Sequence, residues 1–199
     1  MLNYYWNDGY ASAVWHRIVE FLNGNEIGAA AWLGNMCYES SVCPFRWENT
    51  SIDTSYNYTI NTMRVGTYDK DTFVNDHPFG TSAQKGYSLM QWTYETRKEM
   101  YYDYCGQSNL GDTEASLDYL IWEMDNHYTT ARDYLRSATD IFIATEWLMN
   151  DYYIRSETTH LADRQQMAIN AYEDFSGSPP PPPPLELPYW LLFKFKHLL

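Results

Sequence analysis

The chain has 199 residues, 45% of them hydrophobic and 18% aromatic, with a formal net charge of −13 and a pI near 4.6. That length suits one domain with a sizeable core and a short appendage. The acidic balance, with no stripe of Lys and Arg to displace phosphate counterions, argues against nucleic acid as a partner, and no apolar run approaches the ~20 residues of a membrane span.

The opening "MLNYYWNDGY" lacks a basic leader and an apolar run, so it does not read as a secretory signal. Asp8 is placed to cap a first helix, in which Ala11, Val14, Trp15, Ile18, Val19 and Leu22 recur at helical spacing until Asn23-Gly24 stops it. A second helix begins near Asn25; its small residues allow a close neighbour, and it should end near Tyr38 or Glu39. Helical periodicity is lost over residues 44–85, where "SYNYTINT" alternates Tyr56, Tyr58 and Ile60 with polar residues as a half-buried strand does. Helix resumes at about Thr93. Three apolar stripes follow: Leu117, Leu120, Ile121 and Met124; then Ile141, Ala144, Leu148 and Tyr152 behind a Thr139-Asp140 cap; then Leu161, Ala168, Tyr172 and Phe175. The expected fold class is α+β, a mainly helical body with a small β-hairpin lobe inserted after the second helix.

The body spans residues 1–175. Residues 176–184, "SGSPPPPPP", read as a flexible start and a polyproline spacer. The remaining stretch, residues 185–199, is apolar and locally basic and too short for a domain. It reads as a disordered or docking tail, a membrane-surface anchor, or the stub of a second module.

Glu39 is the residue that invites chemistry. Asn35 and Met36 stand at i−4 and i−3 from it and Trp32 at i−7, so its carboxyl shares a face with an amide, a thioether and an indole. Burial beside such groups disfavours a charged carboxyl, which would then keep its proton for a leaving oxygen. The plainer reading is a solvated glutamate near a helix end. A two-carboxylate glycosidase needs a partner across the scissile bond; the candidates are Glu48, Asp53, Asp69, Asp71 and Asp76, with Asp53 first, and turn capping is the alternative for all five. Trp47, Tyr56, Tyr58 and Tyr68 could stack on sugar faces or simply pack. His77 reads as a turn residue before Pro78. Cys37, Cys43 and Cys105 lack zinc spacing; Cys37 and Cys43 could bridge, but the expectation is buried free thiols in a reducing cytoplasm. With no phosphate loop, metal cluster or Ser-His-Asp arrangement suggested, no cofactor is expected.

Two segments carry a resemblance. "ESSVCP" (39–44) has the Glu-Ser-x-x-x-Pro spacing of goose-type lysozymes and lytic transglycosylases, and "GYSLMQWT" (86–93) resembles their Gly-x-Gly-Leu-x-Gln segment. Together with "TEWLMNDYYIRS" and "HLADRQQMAINAYEDF", they look closest to the phage tail lysozyme family over roughly residues 8–175. The resemblance implies a lysozyme-like domain acting on bacterial peptidoglycan glycan strands at the β-1,4 MurNAc–GlcNAc bond. It makes Glu39 the catalytic acid, with Asp53 as a possible second carboxylate, and Ser40 and Pro44 the residues that end the helix and turn the chain. Tyr87, Ser88 and Gln91 would bind sugar, with Tyr58 facing them; Trp92 would lie beneath the groove, and Arg97 would hold the segment by an ion pair. Ser88 departs from the family's second glycine, which puts the Tyr87–Leu89 contacts in question. The implied reaction is hydrolysis. A lytic transglycosylase leaving 1,6-anhydro ends, or a non-catalytic glycan-binding tail component, are the alternatives. The implied setting is a phage tail or the host cytoplasm before release, with other tail proteins as further partners.

Overall fold

In a computed structural model, the residues described are 8–47, 68–75, 86–152 and 160–177. Eight α-helices lie among them: α1 (Asp8–Phe21), α2 (Glu26–Ser40), α3 (Lys70–Asn75), α4 (Glu95–Cys105), α5 (Thr113–His127), α6 (Thr129–Arg136), α7 (Ile141–Trp147) and α8 (Leu161–Phe175). A five-residue π-helical turn, Leu148–Tyr152, continues α7. No helix among these residues is long and apolar enough to cross a membrane.

The second helix is the axis of the fold. Every residue of α2 from Gly28 to Cys37 is buried, and it touches α1, α6, α7 and α8. A helix apolar on all sides belongs inside a bundle, which is what the run "GAAAWLG" dictates. Its most extensive contact is with α8, where a Cβ on Gly34 would stand 2.6–2.7 Å from the backbone and Cβ of Ala168. Glycine at that position is what lets the two helices approach so closely. The start of α2 is fixed by Asn25, whose side chain accepts from the Gly28 N–H and donates to the carbonyls of Arg136 and Ala138 at the end of α6.

Of the stripe expected on α1, Ala11, Val14, Trp15, Ile18 and Leu22 are buried, and Val19 is partly buried against them. Leu117, Leu120 and Met124 of α5, and Ile141, Ala144 and Leu148 after the Asp140 cap, are buried as well. On α8 the stripe differs. The buried face is Arg164, Met167, Ala168 and Ala171, while Leu161, Tyr172 and Phe175 lie at its partly covered edge.

Residues 44–85 were expected to be free of helix, and α3 corrects this. Asp69 accepts from the Thr72 N–H as a cap, and Phe73 and Val74 sink into an aromatic cluster with Trp47, Tyr87 and Tyr101. Two such anchors within a single capped turn are too short a signal for periodicity to register. The hairpin expected around Tyr56–Ile60 lies outside the described residues. Among those described, β-pairing is confined to the bridges Trp47–Tyr87 and Tyr87–Trp92. Cys37 and Cys105 are buried free thiols, so Cys37 forms no bridge to Cys43, which is also buried.

Candidate active site at the end of the central helix

The last turn of α2 carries Asn35, Tyr38, Glu39 and Ser40 and ends abruptly. Ser41 and Val42 both take left-handed backbone, at φ 56° and 57°. For a β-branched valine this is a sparsely populated region, held here because the side chain is wholly buried. Ser88 (φ 70°), Gln91 (φ 53°) and His160 (φ 81°) are left-handed too. Of six non-glycine residues with positive φ among those described, five therefore gather at the junction of α2 with the 86–92 turn and the start of α8. Backbone strain of this kind concentrates where the surrounding structure imposes a functional geometry.

The Glu39 side chain is 18% exposed, neither free in solvent nor sealed. Its partner is Arg164, whose Nη2 donates to Glu39 Oε1 at 2.6 Å while the guanidinium itself is only 2% exposed. Nη1 of the same group donates to Asn35 Oδ1 at 3.1 Å, and Asn35 Nδ2 donates to the carbonyls of Ala31 and Thr145. The Arg164 Cζ lies 4.3 Å from the Tyr38 ring centroid. An amide within α2, an aromatic ring and a carboxylate thus fix one buried cation, and that cation fixes Glu39. Asn35 shares the face with Glu39 as the spacing requires. The apolar environment expected of the carboxyl is replaced by a charged one.

On the opposite flank, Ser40 Oγ meets the carbonyl of Leu89 at 2.9 Å and that of Met36 at 3.2 Å, and it accepts from the Cys43 N–H. The hydroxyl thereby ends the helix and fastens it to the 86–92 segment. Tyr87 and Trp92 exchange backbone hydrogen bonds around a turn from Ser88 to Gln91. Gly86 makes this fit, since a Cβ there would meet Gln91 at 2.8 Å. Below the turn, the Trp92 indole N–H donates to Glu123 Oε2 at 3.0 Å, and Arg97 grips the same carboxylate at 2.7 and 2.9 Å. Arg97 holds the segment by an ion pair, with Glu123, wholly buried, as its partner.

Tyr87 and Ser88, expected to bind sugar, and Trp92, expected beneath the groove, are each fully buried. Their side chains belong to the core, so Tyr87 and Ser88 could meet a ligand only through their backbone, and Trp92 packs beneath the turn. The Ser88 hydroxyl turns inward toward Ser116 at 3.4 Å. The left-handed φ also gives the physical reason why a glycine suits this position, which a serine occupies here with its hydroxyl in a buried polar contact. Gln91 is 9% exposed; its amide nitrogen donates to the carbonyls of Ser88 and Arg46, and its Oε1 has no hydrogen-bond partner. Reversing the amide would set oxygen against two carbonyls, so the unsatisfied atom is the acceptor. Trp47 and Tyr68, offered as stacking residues, are buried. Asp69 and Asp71 serve α3: the Thr72 backbone N–H holds the Asp69 carboxyl below its ordinary range, and Asp71 accepts from Asn75. Glu48, Asp53, Tyr56, Tyr58, Asp76 and His77 lie outside the described residues. No cluster of metal-ligating side chains occurs among the described residues.

Arg164 and Glu123 escaped the sequence reading because a charge reads as solvated. The signal was present: Arg164 stands at i−3, i−4 and i−7 from Met167, Ala168 and Ala171, and Glu123 falls inside the stripe of Leu120 and Met124. A charge on a buried stripe announces a buried partner.

Comparison with curated proteins and with solved structures gave no match. The description of one family, phage tail lysozyme, matches residues 10–175, a span holding the α2 end, the 86–92 turn and the Arg164 helix. The chain belongs to the phage tail lysozyme family.

Proposed function

We propose that this protein is a muramidase that hydrolyses the β-1,4 bond between N-acetylmuramic acid and N-acetylglucosamine in peptidoglycan, with Glu39 as its general acid. The observation that carries the reading is the Glu39 carboxylate, partly exposed at a strained helix end and fixed by the buried Arg164. Membership of the family supports a peptidoglycan-degrading glycosidase. The virion tail, among other tail proteins, is the setting we propose with it.

Protonated Glu39 gives its proton to the glycosidic oxygen as the C1–O bond breaks toward an oxocarbenium-like state. The carboxylate left behind keeps its place against the Arg164 guanidinium, whose Nη2 lies 2.6 Å from Oε1. Water then adds to C1 and its proton returns to Glu39, which restores the acid and balances the reaction. Asp53 remains the proposed second carboxylate, and Tyr58 a proposed sugar contact.

A zymogram on purified sacculi tests this. The parent should clear the gel, whereas Glu39→Gln, similar in shape and unable to donate an acidic proton, should leave it opaque. Clearing by the Glu39→Gln protein would sink the assignment. Mass spectrometry of the products should show hydrolysed MurNAc ends; ends lighter by one water would instead make the enzyme a transglycosylase.

A further inference from the structure

The sugar-stacking surface expected in the lobe is not available at Trp47 or Tyr68, both of which are buried. Aromatic surface beside the acid comes from elsewhere. Tyr38 immediately precedes Glu39 on α2, and its ring is stacked on the imidazole of His160 with centroids 5.1 Å apart and planes inclined by 28°. Arg164 touches both the Tyr38 ring and the Glu39 carboxylate, so the stacked pair lies one guanidinium away from the acid. The His160 side chain is 53% exposed. Asp163, 46% exposed, has its carboxylate 3.3 Å from His160 Nδ1.

We propose that His160, backed by Tyr38 and edged by Asp163, is a binding subsite for one N-acetylhexosamine ring of the glycan strand, on the side of Glu39 away from the 86–92 turn. This rests on the muramidase reading of Glu39. A pyranose presents a flat patch of C–H bonds on one face and hydroxyls around its rim. A ring held flat by a stack behind it meets the first, and a neighbouring carboxylate accepts from the second. The stack also orders the imidazole before ligand arrives, which lowers the entropic cost of binding. An anionic polymer is a poor fit for this acidic protein, whose charge is −13.

Substitution at residue 160 can remove the ring without disturbing the backbone, because His160 sits at φ 81°, where glycine is at ease. The test is co-sedimentation with purified sacculi in the Glu39→Gln background, where turnover does not consume the ligand. Adding His160→Gly should weaken retention about fivefold or more, while adding His160→Phe, which keeps a flat apolar face, should hold it within about twofold of the parent. Equal retention by the glycine variant would overturn the subsite, as would an equal loss in the phenylalanine variant with an unchanged melting temperature. A competition arm with N-acetylglucosamine oligomers should release the His160 protein and leave the residual binding of His160→Gly little affected. Indifference of both to the oligomers would also overturn it. These outcomes do not depend on turnover, so failure here is distinct from lysis surviving Glu39→Gln.

Discussion

At the scale of single residues, the site turns on what Arg164 can do that another cation cannot. Its planar fork reaches Asn35 with one nitrogen and Glu39 with the other, and its flat face covers Tyr38. A lysine would keep the charge but, as a compact point donor, would not span both partners or stack. Arg164→Lys should therefore lower kcat by about tenfold or more with KM changed less than about threefold, as expected when orientation of the acid rather than glycan binding is lost. Steady-state turbidity assays over a range of sacculus concentrations would separate the two constants, and a rise confined to KM would contradict it. The candidate acid was legible in the sequence because Glu39 closes an apolar helix inside a recognisable segment. Its guanidinium partner was not, because pairing across 125 positions depends on how α8 packs and leaves no local mark.

At the scale of elements, the junction between α2 and α8 depends on the absence of a single side chain. Replacing Gly34 with alanine would place a methyl group 2.6–2.7 Å from Ala168, where both helix backbones would have to move apart. The cost should be about 1–3 kcal/mol, read as a fall in the urea midpoint, and lytic activity should fall further than the folded fraction because Glu39 and Arg164 ride on the two helices being separated. The 86–92 turn has its own anchor. Truncating Glu123 to alanine would leave Arg97 without its carboxylate and the Trp92 indole N–H without its acceptor. A loss of about 3–5 kcal/mol is expected from equilibrium unfolding, the range for breaking a buried pair from one side. Helix starts at Asn25 and Asp140 were visible from their caps, and the stripes of α1, α5 and α7 from their period. The short α3 and the true buried face of α8 were not, the first because one turn is too brief for a pattern, the second because its central residue is charged.

At the scale of the whole molecule, many of the aromatic side chains among the described residues turn inward. Trp92, Tyr101, Tyr119, Tyr87, Phe73 and Trp47 form a continuous cluster beneath the 86–92 turn. Burial pushes the Cys37 and Cys105 thiols from 9.0 up to about 12 and raises the phenols of Tyr101 and Tyr119 as well. All four groups are neutral in the folded protein over a range where the unfolded chain has begun to lose their protons. Their contribution is complete below the unfolded values near 9 and 10 and is lost as pH rises toward the folded ones. The urea midpoint should be level in this respect up to about pH 8 and decline steadily between roughly pH 9 and 12, a decline that Cys37→Ala should make shallower. Glu39, finally, is held by a helix whose arginine lies 125 residues downstream. A ribosome must pass residue 164 before the guanidinium exists, so nascent or prematurely terminated chains carry Glu39 without its clamp. On the function proposed above, the site is therefore assembled only once the polypeptide through α8 has been completed and folded.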